Sequence, residues 1–348
     1  MLKRLVNEAI LSLTIKNSGP LLIKSGYAEA GGCDMEPVQT YRNGRLEYYI
    51  PGSSLKGVLR SHFEKIARTL NPEPGTVCDP FSKVRMTGGK NGAPVVSKGY
   101  AEVSCGNKFQ LNKMGKYKEK SVEFMAEPID PTNEHVYKNS CPACRLFGST
   151  FFAGRFNIGD GYLKPGSKPG VKRRDLVGID RLTGGASSGA KFDLSAIGAG
   201  AEFETGIYLR NFECWQLGAL FILLDDLKDG LIRLGSGVSR GFGEVTSSFD
   251  NITLTRVGRN DGNQTEIAGL GRILGDGSYG TFPDDFLLLD SLPESEVQGV
   301  RTAWRFNGKY LSSLRTAAAA HFVNKIEKWP PQEEMKWDPG RWERVAGA

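Results

Sequence analysis

Histidine is scarce in this chain: His62, His135 and His321 are the only three. No Ser/His/Asp arrangement and no paired-carboxylate motif stands out, so serine-triad hydrolysis and two-carboxylate acid–base chemistry lack their parts. No glycine-rich stretch ends in Gly-Lys-Ser/Thr, which argues against a P-loop nucleotide site. No apolar run approaches the ~20 residues of a membrane-spanning helix. The longest, Leu217 to Leu224, reads as a buried segment. Met1 to Ile10 is too short and too charged for a secretory leader. The reading is a cytoplasmic protein with no membrane partner, whose six cysteines are reduced thiols or metal ligands. Charge of one sign is also in short supply: a formal +6 over 348 residues is mild. That balance is compatible with nucleic acid without requiring it, and the placement of the charge matters more than its sum.

Two runs concentrate the positive charge. Lys164 to Arg181 carries Lys164, Lys168, Lys172, Arg173, Arg174 and Arg181 against only Asp175 and Asp180. Lys108, Lys113, Lys116, Lys118 and Lys120 form the second run. A solvated loop is the bland reading of either. Glycine, by contrast, is plentiful. Gly235-Ser236-Gly237-Val238-Ser239-Arg240-Gly241-Phe242-Gly243 is a loop whose backbone amides, with Ser239, Arg240 and Gly241, suit a phosphate. Pro51-Gly52-Ser53-Ser54-Leu55-Lys56-Gly57 opens a helix, and Ser53 or Ser54 is expected to cap its first turn. Lys56 and Arg60, one turn apart, face either a ribbon of phosphates or solvent.

Periodicity gives a coarse layout. Glu8 to Ile15 alternates as a strand, is broken by Gly19-Pro20, and resumes over Leu21 to Ile23. Leu55, Val58, Leu59, Phe63, Ile66, Ala67 and Leu70 recur at helical spacing until Asn71-Pro72 stops the helix. Phe151 to Leu163 and Phe203 to Phe212 read as strands, Trp215 to Leu227 as a helix, and Phe242 to Val257 as one strand or a pair. Lys164 to Asp193 is a glycine-rich basic hairpin or mobile loop. The order strand, helix, strand, strand, helix, strand predicts an α+β fold with a ferredoxin-like, RRM-like core. No internal repeat is evident. Residues 75–140 are loop-rich and need a staple or a ligand. Beyond residue 258 the composition shifts; Val300 to Trp329 looks helical, and Trp337 and Trp342 mark a tail that docks on this chain or a neighbour.

Cys141-Pro142-Ala143-Cys144 has the two-residue gap that lets two thiolates meet one tetrahedral zinc ion. Cys78 and Cys105 lie in the irregular segment, and His135 competes for the fourth place, with His62 behind it. Four buried thiols without metal is the alternative. Four protein ligands would leave no open position, so such a zinc is structural. Cys33 and Cys214 are expected to stay unliganded. The interesting acid is Asp34, in the loop Gly31-Gly32-Cys33-Asp34 before the first helix. A carboxylate there can bind a divalent ion or orient a 2′-hydroxyl for attack on a phosphate; a plain turn-forming Asp is the alternative.

Together these stretches resemble the RAMP superfamily of CRISPR RNA-binding proteins, most of all the backbone subunit of type III effector complexes, in particular the type III-D branch. The motifs are PGSSLKGVLRSHFEKIARTL (51–70), CDPF (78–81), CPACRLFGS (141–149), VGIDRLTGGASSGAKFD (177–193) and GSGVSRGFGEV (235–245), in the family's order over residues 1–257. The resemblance implies a guide-RNA-binding domain at 1–257, with a zinc-containing insertion at 75–150 and a thumb hairpin at 172–195; the extension at 258–348, of unrevealed role, lies outside it. It implies subunits stacked along a crRNA beside other effector subunits and a complementary target RNA. The guide backbone would meet Ser53, Ser54, Lys56, Arg60, Lys172, Arg173, Arg181, Ser239, Arg240 and Gly241. Ile179 and Leu182 of the thumb would wedge between bases, at an unstacking cost of a few kcal/mol. Zinc would sit on Cys78, Cys105, Cys141 and Cys144. Asp34 matches the acid with which many such subunits cut target RNA, aided by Mg2+ or another divalent ion. It is followed by Met35-Glu36-Pro37-Val38, one residue longer than the family's acid-x-Pro-Val run.

Overall fold

The structure, a computed structural model, describes residues 4–26, 32–73, 76–79, 86–88, 94–96, 105, 133–167, 169–258 and 264–329. The second lysine run, Trp337 and Trp342 lie outside the described residues. The strand β1 (Asn7–Asn17) puts Ala9, Leu11, Leu13 and Ile15 on a buried face, a period of two that only an extended chain allows. The hairpin β2 (Gln39–Arg42) and β3 (Arg45–Ile50) follows, then helix α1 (Gly52–Leu70). Leu55, Leu59, Phe63 and Ala67 bury the core-facing stripe of α1, while Val58, Ile66 and Leu70 pack at its margin. Each fully buried Leu or Phe contributes roughly 1.5–3 kcal/mol. Two short helices come next, α2 (Asn133–Lys138) and α3 (Pro142–Phe147), and then β4 (Phe156–Ile158) and β5 (Gly161–Leu163). The hairpin β6 (Val171–Ile179) and β7 (Ala186–Ile197) precedes β8 (Glu202–Arg210), α4 (Cys214–Lys228), β9 (Val245–Ser248) and β10 (Asn251–Val257).

The hub is β1. It runs antiparallel to β8 on one side, with Ile10 opposite Tyr208, and to β9 and β10 on the other. β4 and β5 both pair antiparallel with β8. Counting β4/β5 as the second and β9/β10 as the fourth strand, the order across the sheet is 4-1-3-2 with α1 and α4 as crossovers. That is the split βαβ arrangement the element order foretold.

The remaining chain lengthens the same sheet. After β11 (Glu266–Ala268), α5 (Leu270–Leu274) and β12 (Phe286–Leu288) come β13 (Ser295–Gln298), β14 (Arg301–Asn307) and α6 (Gly308–Glu327). β14 pairs antiparallel with β10 along its whole length, and the path reads β13-β14-β10-β1-β8-β5-β3-β2 among the described residues. Gly218 lets α6 lie directly on α4: a Cβ there would overlap the Ala318 carbonyl.

Four expectations need correction. Val300 to Trp329 is not one helix; Thr302, Trp304 and Phe306 alternate inward as β14, and helix begins only at Gly308. Phe151 to Leu163 is not one strand. Gly154 abuts the Phe147 carbonyl, and the chain breaks again at Gly159-Asp160 between β4 and β5. Leu21 to Ile23 is not a strand either; only an isolated bridge joins Leu21 to Ile197. Finally, neither Ser53 nor Ser54 caps α1. The N-cap is Pro51 and no side chain caps from it; the first-turn amide of Gly52 donates instead to Asp160 Oδ1 at 2.8 Å, across the β4–β5 turn.

Candidate nucleic-acid interface and metal centre

The Sγ atoms of Cys78, Cys105, Cys141 and Cys144 all lie within 4.8 Å of one another. Among the described residues they form the one group of three or more potential metal ligands so placed. Cys78 is 3.7 Å from Cys144 and 3.6 Å from Cys141, sulfur to sulfur. A disulfide would need ~2.05 Å. A tetrahedron with ~2.3 Å zinc–sulfur bonds has edges of about 3.8 Å, close to what is found. Local structure builds the pair: Cys141 is the N-cap of α3, and its sulfur accepts the Cys144 amide at 3.5 Å. The Cys141 amide in turn points at Cys105 Sγ, 3.4 Å away. All four are at most 2% exposed.

Hydrogen bonds from Cys105, and then from Cys144 and Cys78, hold the Cys141 thiol well below its ordinary range. Cys78 and Cys144 are pushed above theirs, first by the contact with Cys105. Four sulfurs this close cannot all ionise without a cation between them, and a divalent ion is the group that fits. Cys105 fills the fourth corner; the side chain of His135 lies outside the described residues. His62 is engaged elsewhere, 2.7 Å from Asp226 Oδ2. Cys33 and Cys214 stand apart, against the Ser195 hydroxyl and the Ile267 carbonyl.

Arg60 belongs to this centre. Its Nη2 donates to Cys144 Sγ at 3.4 Å, its Nη1 to the Gly148 carbonyl at 3.0 Å, and its Nε to Glu64 at 2.9 Å. The guanidinium is thereby turned inward, away from the phosphate-facing place expected for it. Lys56 is half-buried on the preceding turn, and burial, then the Arg60 charge, lowers its pKa. Ser53 is exposed and Ser54 half-buried.

The basic stretch is a two-stranded hairpin. Lys172 faces Ala196 and Arg173 faces Ser195 across β6 and β7, with a bulge between Val177 and Ile179. The tip is an Asp180-led turn in which the Leu182 and Thr183 amides donate to Asp180 Oδ1 at 2.8 and 2.9 Å. Leu182 is 97% exposed and Ile179 59%, so two apolar side chains stand bare at the end of a basic stalk. Arg181 and Lys172 are exposed as well, and Arg173 pairs with Asp193.

Asp34 is bound to the root of that hairpin. Its amide donates to Asp193 Oδ1 at 2.8 Å, and its own Oδ2 accepts the Asp193 amide at 3.0 Å. On either side, Cys33 Sγ lies 3.1 Å from the Ser195 hydroxyl, and the Ser195 amide donates to the Met35 carbonyl at 2.9 Å. The Asp34 amide, and then the Arg173 charge, holds the Asp193 carboxyl below the usual range.

Beside this junction lies the glycine-rich loop. Gly235 has φ +77° and sits so close to the Leu22 carbonyl that any side chain would collide with it. The Ser236 amide donates to the same carbonyl at 2.7 Å, and the loop turns back over Pro20 through the Gly243 amide at 2.8 Å. That pins the ends and leaves Val238, Ser239, Arg240 and Gly241 exposed at the tip. Between tip and hairpin is a cleft of about 320 Å³ whose wall includes Lys24, Met35, Phe192, Ser239, Arg240 and Phe242. Arg240 lies over the Phe192 ring at 5.5 Å and Arg174 over Phe242 at 5.1 Å. The structure therefore brings Ser239, Arg240 and the Asp34 loop to one place; Ser53, Ser54 and Lys56 do not line that cleft.

Sequence reasoning missed Lys24, Phe192 and the Asp193 contact. Lys24 has no local signal, and Phe192 and Asp193 close the 177–193 motif without marking a contact: Asp193 meets Asp34 across 159 residues. Arithmetic on the basic run pointed at its lysines and arginines, not at the acid that holds one of them.

The family model of the RAMP superfamily matches residues 14–246, about two-thirds of the chain. No curated protein matches it.

Proposed function

The chain belongs to the RAMP superfamily, and from that premise we propose that it is a crRNA-binding backbone subunit of a type III CRISPR effector complex, of the type III-D branch, that cuts the paired target RNA. On this reading the 4-1-3-2 sheet is a ferredoxin-like, RRM-like core for residues 1–257, hairpin β6–β7 is the thumb, and residues 258–348 extend the core. The cysteine cluster is a zinc knuckle in the insertion 75–150, with structural Zn2+ on Cys78, Cys105, Cys141 and Cys144. The protein works in the cytoplasm with crRNA, target RNA and other effector subunits. No described helix is long and apolar enough to cross a membrane.

One observation carries the reading: three segments far apart in sequence, the Asp34 loop, the hairpin root and the glycine-rich tip, meet at one cleft rimmed by Lys24 and Arg240. Amides and cations there suit phosphates, and the exposed Asp34 carboxylate lies beside them. The bare apolar tip of the hairpin suits a base step, which it would open so that one nucleotide leaves the stack. At that nucleotide the 2′-oxygen attacks the adjacent phosphorus and the P–O5′ bond breaks. The products are a 2′,3′-cyclic phosphate and a 5′-hydroxyl. Asp34 orients the 2′-hydroxyl and takes its proton; the leaving oxygen takes one from water. A divalent ion such as Mg2+, which needs only one or two protein carboxylates beside phosphate oxygens, would supply neutralisation of the phosphorane charge.

A second reading, a crRNA scaffold that does not cut, is favoured by the same clamp, since it gives Asp34 a structural task. The test is cleavage of labelled complementary RNA by the reconstituted complex with magnesium, wild type against Asp34→Ala. Loss of one defined band with retained target binding establishes the nuclease, and an unchanged ladder establishes the scaffold. Continued cutting at a 2′-deoxy nucleotide would sink the chemistry.

A further inference from the structure

We infer that Asp193 is a positioning residue for Asp34, and that the hairpin root, rather than the acid's own loop, sets where the Asp34 carboxylate stands. This rests on the cutting role proposed for Asp34.

Three consecutive residues of the acid's loop are each joined to three consecutive residues of β7. Cys33 meets Ser195, Asp34 meets Asp193, and Met35 pairs in parallel with Leu194. The loop is thus laid on the hairpin through one isolated parallel bridge and the contacts on either side of it. In the central pair each aspartate amide donates to the other's carboxylate, at 2.8 and 3.0 Å, a closed ring of two charge-assisted hydrogen bonds. Such a ring fixes both the backbone and one carboxylate oxygen of Asp34. The Asp34 side chain is thereby anchored through Oδ2. Arg173 pairs with Asp193 and adds a cation beside the ring. The Asp193 residue is then a bridge from the basic face of β6 to the acid. Any displacement of the hairpin by RNA moves β7 and Asp34 together, and a misplacement of about 1 Å costs a reaction of this kind on the order of 10²-fold.

The experiment is single-turnover cleavage of labelled target RNA by the guide-loaded complex, with target affinity measured alongside. Four forms are compared: wild type, Asp34→Ala, Asp193→Ala and Asp193→Asn. Asp193→Ala removes the acceptor of the Asp34 amide and is expected to slow the cut roughly 10- to 100-fold at unchanged affinity. Asp193→Asn keeps an oxygen for that amide while discarding the charge, and is expected to cut within about threefold of wild type. Equal loss in the two variants overturns the inference, since both remove the charge and only one removes the acceptor. So does wild-type cutting by Asp193→Ala in a complex that Asp34→Ala silences. If Asp34→Ala itself cuts normally, the proposed function fails instead. Poor folding of Asp193→Ala would show as lost guide occupancy, and Asp193→Asn then decides: slow cutting at normal occupancy overturns the inference, near-wild-type cutting supports it.

Discussion

Arg60 donates from Nη2 to the sulfur of Cys144 at 3.4 Å, and so ties the middle of α1 to the cysteine centre. An arginine engaged in this way turns three of its donors to the protein rather than to a phosphate ribbon. Arg60→Ala is therefore expected to lower unfolding free energy by about 1–3 kcal/mol, because the Gly148 carbonyl and Cys144 lose a charged donor. RNA affinity should change little once folding is controlled for. Chemical denaturation and a filter-binding titration check the two halves separately.

The cluster itself predicts one zinc ion per chain. Elemental analysis of purified protein should return that ratio, and Co2+ exchange should give thiolate charge-transfer bands. Chelation, or Cys144→Ser, should lower the melting temperature, since a structural metal contributes folding free energy outright. A chain that melts identically with and without chelator would leave four plain thiols.

Ordered phosphate contacts leave a trace in salt. Arg240→Ala, at the exposed tip of the glycine-rich loop, should weaken guide RNA uniformly across sequences. It should also reduce the slope of log affinity against log salt by about 0.7. Removing Lys24 from the same cleft should do the same, although nothing in the local sequence around it suggests a contact.

A pH effect is expected far from the RNA. Asp285 is 1% exposed, accepts the Cys214 amide at 2.6 Å and the Gly271 amide at 2.8 Å, and joins the start of α4 to the segment before β12. Burial, then the Glu213 charge, pushes its carboxyl up to about 7. The folded state thus holds a proton that the unfolded chain gives up near 3.8. Between those two values stability falls as pH rises, by on the order of 4 kcal/mol in all from this group. Above about 7 it contributes no further slope. Asp285→Asn should flatten that fall, at the loss of one amide hydrogen bond. Urea midpoints at pH 5 and pH 7 give the comparison.

How much of this could be read from the chain depended on the range of the interactions. α1 was legible because Leu55, Leu59, Phe63 and Ala67 repeat within one helix, and β1 because its alternation is local. The Cys141/Cys144 pair was legible because three residues fix its geometry. β14 was misread because its alternating Thr302, Trp304 and Phe306 run straight into the apolar face of α6, and the two periods blur in one count. The missing serine cap, the inward turn of Arg60 and the Asp34–Asp193 ring all depend on partners 84 to 159 residues away. No window of sequence contains both halves of such a contact.

The seam between β10 and β14 has a practical consequence for anyone cutting the chain. The family match ends at residue 246, inside β9. A fragment stopped there would lose β10, β14 and α6, uncovering the Gly218 face of α4 and opening one edge of β1 over Asn7–Ile10. Stopped at 257, it would instead present the bare edge of β10, an open template for another strand. The smallest piece that behaves as a protein should reach Trp329, whose ring meets Trp215 edge-on at 5.3 Å. The family match is thus shorter than the stretch of chain that shares its sheet and helix packing.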